Sequence, residues 1–483
     1  MAKLLAGVGR VNITPPLGVD LMGTARRAGP ADGIHHDLYA TCLVLATGNQ
    51  KVALVDCDLL IIPDEASIDI RQRIGALIEA GREHVLLGCT HTHNGPAAAQ
   101  GMPKTGGDLT GFRDIELNYQ ANLVHQLESA ARLAMANLRP ARFAAGAGQA
   151  DILVNRRELL DDGQVIIGRD FDRPRDPSVD ILRIDTEDSE PLAVIMCFAC
   201  HPVSIDPQFC TLIGPDFPGW ARQTIEMLTG ATALYFTGAA GDIMPLRADQ
   251  ADPRAAEIVG RQVGCQATYA YMDLNPQPIE IREGLVKSIS TYRYYEEVPV
   301  KRPAITHFKA LSRQLELKLR PPPALADVEE DLRTAEARLQ ELQAQGASSA
   351  NELNPVIFQQ VTARRILEML RTGIAPQSIQ VDIQAIRLDD VAIVAVPGEP
   401  FAEMGLQVKA GSPFKHTFFI GYANGLVGYI PMESDHALGG YEVNDAHKPF
   451  GLPAGLVAGT AEQIVETCLE LLHELHDLDE ITT

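Results

Sequence analysis

Short apolar runs of strand length, separated by stretches of helical spacing, set the pattern of the first half of the chain. Val8-Gly9-Arg10-Val11-Asn12-Ile13 reads as a first strand that runs into the stiff turn Thr14-Pro15-Pro16 and then a Gly-rich loop through Gly33. Tyr39 to Leu45 and Val52 to Asp58 follow as strands, Ser67 to Glu79 as a helix, and Leu86 to His91 as another strand. Strand, strand, helix, strand predicts an α/β fold, a mixed β-sheet core flanked by helices.

The same reading carries on to the end. Residues 114–138 have the spacing of an amphipathic helix stopped by Pro140, a strand begins at 143–149, and Asn155-Arg156-Arg157 opens a polar loop that reaches about Pro177. Ile181 to Ile184 and Leu192 to Ala199 are strands, Gly219 to Leu228 is a helix, and Ala233 to Thr237 is a strand ending in Gly238-Ala239-Ala240-Gly241-Asp242. Over 324–371 two stretches of helical spacing flank Gly346 to Asn351, which predicts a helical hairpin inserted into the α/β body. Ile379 to Leu388, Val391 to Val396 and His416 to Tyr422 resume the core, and Ala461 to Leu472 is a last helix before an acidic tail.

Composition narrows the function. Lys and Arg total 41 against 63 Asp and Glu, a formal charge of −22 that argues against a nucleic-acid partner or an anionic membrane surface. No apolar run is long enough for a membrane span, and the first nine residues are too short and too soon interrupted for a secretory signal, so a cytoplasmic protein is expected. The eight cysteines are scattered through apolar runs, which fits reduced, buried thiols.

Three apolar runs deliver metal-competent side chains at their ends: His91 with His93, His201, and Glu399 in Pro397-Gly398-Glu399. In an extended segment His91 and His93 project to the same side, and imidazole with carboxylate is a donor set that suits Zn²⁺. Asp58 ends another strand and is a candidate for supporting that site or a second ion, whereas Asp242 equally fits a turn cap beside the Gly-rich loop. Cys197-Phe198-Ala199-Cys200-His201 has the spacing that attaches c-type haem, but it sits in a strand-like run rather than an exposed turn.

Thr90-His91-Thr92-His93-Asn94-Gly95-Pro96 resembles the Thr-His-Thr-His-Ser-Gly-Pro signature of the neutral, non-lysosomal ceramidase family. Gly7 to Pro15, Gly33-Ile34-His35, Asn155-Arg156, His201-Pro202, Gly241-Asp242, Pro397-Gly398-Glu399, Asn424, Tyr429 and Tyr441-Glu442 match in the family's order, so the similarity spans roughly residues 5–455. The resemblance implies one zinc held by His91, His201, Glu399 and Tyr429, with His93 and Arg156 acting on the substrate and Asn155, Met244 and Tyr441 lining its pocket. It implies a metal-dependent amidohydrolase that cleaves a linear C–N amide bond with activated water, acting on a small-molecule amide. Met244 stands where ceramidases carry a serine, which excludes a serine acyl-enzyme there, and Arg156-Arg157-Glu158-Leu159 replaces Arg-Ser-Pro-Ser. These departures lead to the expectation of a substrate smaller or more polar than ceramide. The chain is expected to be one catalytic domain over 1–483 without the family's C-terminal immunoglobulin-like domain. Two other readings stand beside this one: a zinc-dependent ester or lactone hydrolase at the same site, and a non-catalytic binding protein that uses the helical hairpin. Assembly into a homo-oligomer stays open.

Overall fold

A computed structural model describes residues 3–27, 29–100, 104, 109, 111–206, 210–300 and 305–478. Helices flank several sheets, two of which carry the core. The larger sheet has eight strands in the order Thr232–Thr237, Pro191–Phe198, Ser178–Thr186, Arg139–Gln149, Leu5–Asn12, Tyr39–Thr47, Gln50–Cys57 and Val85–Cys89. Its two outermost pairs are parallel and the pairs between them antiparallel. The sheet curls until its edges meet: Tyr235 N–H donates to Asp56 Oδ2 at 3.0 Å and the Thr237 hydroxyl to the Thr90 carbonyl at 2.9 Å. Gly88 permits this approach, since a Cβ there would lie 2.7 Å from the Phe236 ring.

The second sheet runs Phe308–Lys318, Ser378–Leu388, Val391–Ala395 and His416–Ile420. Leu54, Leu86, Ile195 and Phe236 of the first sheet share one apolar cluster with Ile386, Ile393, Phe418 and Ile420 of the second, so the sheets pack face to face. Helices cover the outer faces. Asp64–Leu77 and Asp114–Ala136 pack on one half of the large sheet, and Asp216–Thr229 and Arg254–Asp273 on the other. Ala402–Gly411 and Thr460–His476 cover the second sheet.

The expected inserted hairpin corresponds to the helices Leu325–Ala344 and Ala350–Thr372, which enter between two neighbouring antiparallel strands, Phe308–Lys318 and Ser378–Leu388. Val328, Ala363, Ile366 and Leu367 form their shared seam, and Arg364–Glu336 and Arg371–Glu329 pair across it at 2.8 and 2.7 Å. Among the described residues no helix is long and apolar enough to cross a membrane.

Two local expectations need correction. The segment from Asn155 is not a loop: Leu153–Leu159 and Val165–Asp170 are paired strands. Its arginines point inward to buried carboxylates, so the polar pattern that suggests solvent marks an ionic interior instead. The strand before His91 ends at Cys89, and His91 itself adopts a left-handed backbone with φ +64°. Its N–H is then satisfied by the Leu59 carbonyl at 2.9 Å rather than by a ladder.

Candidate functional site

Carboxyl ends of strands from both sheets converge on one crevice, the usual place for ligands in α/β folds. Val85–Cys89 delivers His91 and His93, Pro191–Phe198 delivers His201, and Val391–Ala395 leads to Glu399, which pairs in a short parallel bridge with Tyr429. The imidazoles of His91, His93 and His201 each offer a nitrogen within 4.8 Å of the others, a group that could hold a metal ion. His91 Nε2 lies 3.3 Å from Glu399 Oε2, and His93 Nε2 lies 3.1 Å from His201 Nε2. A tetrahedral zinc with bonds of about 2.0–2.1 Å holds its donor atoms about 3.3 Å apart, so the His91–Glu399 spacing suits a shared cation.

The supporting contacts fix which nitrogen is free. His91 Nδ1 is 2.8 Å from the Leu60 carbonyl and His201 Nδ1 is 3.3 Å from that of Ala240, which commits both Nδ1–H groups and leaves both Nε2 lone pairs available. Backbone of Gly23 hydrogen-bonds the His93 ring. Gly23, at φ +109°, must be glycine because a Cβ would come within 2.7 Å of His93 Cβ. Burial, followed by the neighbouring His91 and Arg156, holds His93 and His201 well below the usual histidine range and keeps them neutral. Glu399 Oε2 is buried and accepts no hydrogen bond from the described residues. An orphaned carboxylate oxygen facing neutral imidazole nitrogens fits a cation.

Beside these groups lies a buried ionic network. Arg156 donates through Nε to Glu442 at 3.0 Å and through Nη2 to the Tyr429 hydroxyl at 2.9 Å. The second Glu442 oxygen accepts from Arg157 Nη1 at 2.7 Å, and Arg157 Nε reaches Asp435 at 3.2 Å. The Tyr429 hydroxyl is pushed up by burial, partly offset by Arg156. Tyr441 stacks edge-on against Tyr429 with ring centres 5.9 Å apart.

A cavity of about 1140 Å³ opens over this crevice. His91, His93, Glu399, Tyr429 and Tyr441 line its floor, and Val328, Phe358, Ala363 and Ile366 of the helical hairpin form a wall. His201 and Arg156 lie behind the floor, so His93 is the imidazole next to His91 that faces the cavity.

The remaining predicted residues lie elsewhere. Asn155 is fully buried and bridges Asp242 Oδ2, at 2.6 Å, and the Pro174 carbonyl. Met244 packs with Val154 and Ala248 outside the cavity lining, because its short strand Ile243–Pro245 pairs with Leu153–Leu159 and turns the side chain into that small cluster. Asp58 is held by Arg222 at 2.5 Å, and Arg222 also pairs with Asp56 at 2.7 Å, so this carboxylate is engaged away from the imidazoles. Asp242 accepts from Ala402 N–H at 2.8 Å, and its carbonyl accepts from Arg156 N–H at 2.7 Å, which ties the Glu399 turn to the Arg156 strand.

Three supporting residues escaped the sequence reading. Tyr422, left-handed at φ +54°, sets its ring 4.4 Å from that of His91 and its hydroxyl 3.4 Å from His201 Nδ1. Arg27 is fully buried and donates to the carbonyls of His93, Cys210 and Met22, which anchors the His93 turn. Asp435 anchors Arg157 and Arg173. No local pattern singled out any of them: Arg27 sits next to Arg26 in a loop that also carries Asp20 and Asp32.

Residues 4–239 match the family described as neutral/alkaline non-lysosomal ceramidase, N-terminal. That stretch holds His91, His93, Arg156 and His201. A neutral ceramidase of Pseudomonas aeruginosa is 25% identical over 250 residues, which cover 50% of this chain and 36% of that enzyme, about a third of its length. The crystal structure of neutral ceramidase from Pseudomonas aeruginosa superposes with a TM-score of 0.66 at 18% identity, covering 100% of this chain and 76% of that one. A ceramidase complexed with C2 gives 0.68 at 17% identity, covering 100% and 77%. These two likenesses extend the fold over Glu399 and Tyr429. On these findings residues 4–239 are similar to the N-terminal part of the neutral/alkaline non-lysosomal ceramidase family.

Proposed function

We propose that this protein is a zinc-dependent hydrolase that cleaves the C–N bond of an N-acyl amide in the cavity above His91 and Glu399. The observation that carries the reading is the unpartnered, buried Glu399 Oε2 at 3.3 Å from His91 Nε2, on the floor of a large cavity. His91, His201 and Glu399 would hold the ion, with Tyr429 beside Glu399 as a further ligand. Zinc bound there would supply Lewis-acid polarisation of the substrate carbonyl and acidify an attacking water.

The chain's own groups handle substrate and protons. His93 faces the cavity and takes one proton from water as oxygen adds to the carbonyl carbon; it then returns that proton to the nitrogen as the C–N bond breaks, leaving a carboxylic acid and an amine, and the acid's proton then passes to the amine. Arg156 holds the Tyr429 hydroxyl by its oxygen, so the phenol is oriented toward the floor beside Glu399. Arg156 itself is committed to Glu442 and Tyr429 and serves by positioning.

Met244 and the stretch Arg157-Glu158-Leu159, two grounds for expecting a smaller or more polar substrate, do not line the cavity. A volume of about 1140 Å³ with an apolar wall from the hairpin accommodates an amide with an extended apolar arm. The hairpin turns Val328, Ala363 and Ile366 toward the cavity, which favours a substrate wall over the docking surface of a binding protein.

The reading is tested by turnover of N-acyl amides of increasing acyl length, each beside its matched ester, by the wild type and His201→Ala. Amide cleavage that lengthens its preference with the acyl arm and is lost in the variant supports it. Ester cleavage alone would assign the esterase reading, and equal turnover by His201→Ala would remove the site from the chemistry.

A further inference from the structure

The strands Ile279–Lys287 and Thr291–Pro299 form an antiparallel arm that joins no other sheet among the described residues. Every residue from Thr291 to Glu297 is exposed, and so are Ile281, Leu285 and Ile289. A two-stranded ribbon with both faces in water is marginal by itself, and a long unpaired edge bearing Tyr292, Tyr294 and Tyr295 is a template for another strand. Along this strand there is no bulge, and its one proline comes last, at Pro299, so the ladder is open from Thr291 to Val298. Charges of both signs, Arg282, Glu283, Arg293, Glu296 and Glu297, are interleaved with the apolar residues on both faces, which does not suit burial in lipid.

We propose that Thr291–Pro299 pairs antiparallel with the same strand of a second copy of this chain, about a two-fold axis through Tyr295, so that two arms make one four-stranded sheet. A two-fold axis normal to the ribbon keeps each face on its own side and makes every contact occur twice. With the axis at Tyr295, Arg293 stands opposite Glu297 of the second copy, Tyr292 opposite Val298, and Tyr295 opposite itself. Opposite charges and aromatic with β-branched side chains are favourable neighbours across strands. An axis at Tyr294 leaves Arg293 facing Tyr295, and axes at Arg293 or Glu296 put like charges face to face. On the other edge, an axis at Leu285 pairs Glu283 with Lys287 but engages only residues 283–287 of that strand, whereas the Tyr295 axis uses all of Thr291–Pro299. Arg293 also lies 2.8 Å from Glu283 within its own arm, an exposed pair that leaves further donors of the guanidinium for the second copy.

Sedimentation velocity of the full chain over a hundredfold range of concentration tests this. The wild type is expected to show a species of twice the monomer mass that grows with concentration. Glu297→Arg, which sets arginine against Arg293 of the second copy, should weaken self-association at least tenfold, and Arg293→Glu combined with Glu297→Arg should restore it. Lys287→Glu, on the other edge, should leave it unchanged. Circular dichroism and thermal unfolding confirm that each variant is folded, as expected for exposed positions. A wild type that stays monomeric at every concentration overturns the proposal. So does a dimer that ignores Glu297→Arg, one that the double variant fails to restore, or one lost on Lys287→Glu instead.

Discussion

Glu399 Oε2 faces His91 Nε2 at 3.3 Å from a fully buried position, although the two residues lie in different sheets' outflow and 308 positions apart in the chain. Glu399 Oε2 accepts no hydrogen bond from the described residues, and its other close nitrogen is His201 Nδ1 at 3.9 Å. Replacing the carboxylate by an amide of the same shape tests what it is for. Glu399→Gln is expected to fold, because its N–H bond to Gly428 and the bridge to Tyr429 are backbone interactions. Its zinc content, measured by elemental analysis after gel filtration, should fall well below one ion per chain.

His93 and His201 approach through their Nε2 atoms at 3.1 Å, yet only His93 borders the cavity. His93→Ala should therefore retain zinc and lose amide turnover by about 10²- to 10⁴-fold, the usual contribution of a positioned acid–base group. Parallel metal analysis and single-turnover kinetics check this. Loss of zinc from a folded His93→Ala protein would make His93 a ligand rather than a proton carrier.

Glu442 is the shared acceptor of Arg156 and Arg157, and all three side chains are buried. Removing one partner of a buried ionic group leaves uncompensated charge, with costs on the order of 3–5 kcal/mol. Glu442→Ala is expected to lose stability of that order in chemical denaturation, and Glu442→Asp less. Because Arg156 orients Tyr429, turnover should fall in both variants even under conditions where they remain folded.

The sequence carried the ends of the strands better than what lies between them. His91, His201 and Glu399 were legible because each follows an apolar run whose period fixes where the chain leaves the sheet. Glu442 beside Arg156 was not, since no local pattern links residues 286 apart, and a polar stretch such as Asn155 to Arg157 looks the same whether its charges meet water or buried carboxylates. The left-handed turns at His91 and Tyr422 are tertiary in origin: each is set by hydrogen bonds to distant backbone, from His91 to Leu59 and from Tyr422 to Gly398. The arm at 279–299 gave no signal because it joins no other sheet among the described residues and most of its residues are exposed on both faces, so no single clean apolar face is imposed.

The hairpin wall gives a specificity prediction. Ala363 lines the cavity from the helix Ala350–Thr372. Ala363→Phe should shorten the cavity and raise KM for long-chain amides about tenfold while leaving kcat for the shortest amide within twofold. Equal effects on all chain lengths would mean that substrates do not extend toward the hairpin.

Burial pushes the Asp242 carboxyl up to about 6 from an ordinary 3.8, against the hydrogen bonds from Ala402 and Asn155 that favour its charge. A carboxyl raised in the folded state holds its proton where the unfolded chain has released it, so its contribution to stability is greatest below about pH 4 and is lost as pH rises through about 6. The full effect is about 3 kcal/mol. Thermal unfolding of the wild type and Asp242→Asn at pH 4.5 and 7.5 should show the variant's deficit shrinking at the higher pH; a constant difference would place the Asp242 titration elsewhere.

Dependence of amide hydrolysis on a cation held by His91, His201 and Glu399 is measured by chelation and readdition. Protein stripped of metal is expected to stay folded and lose N-acyl amide turnover, and about one equivalent of zinc per chain should restore it in the wild type but not in His201→Ala. Full turnover by the metal-free protein would contradict it.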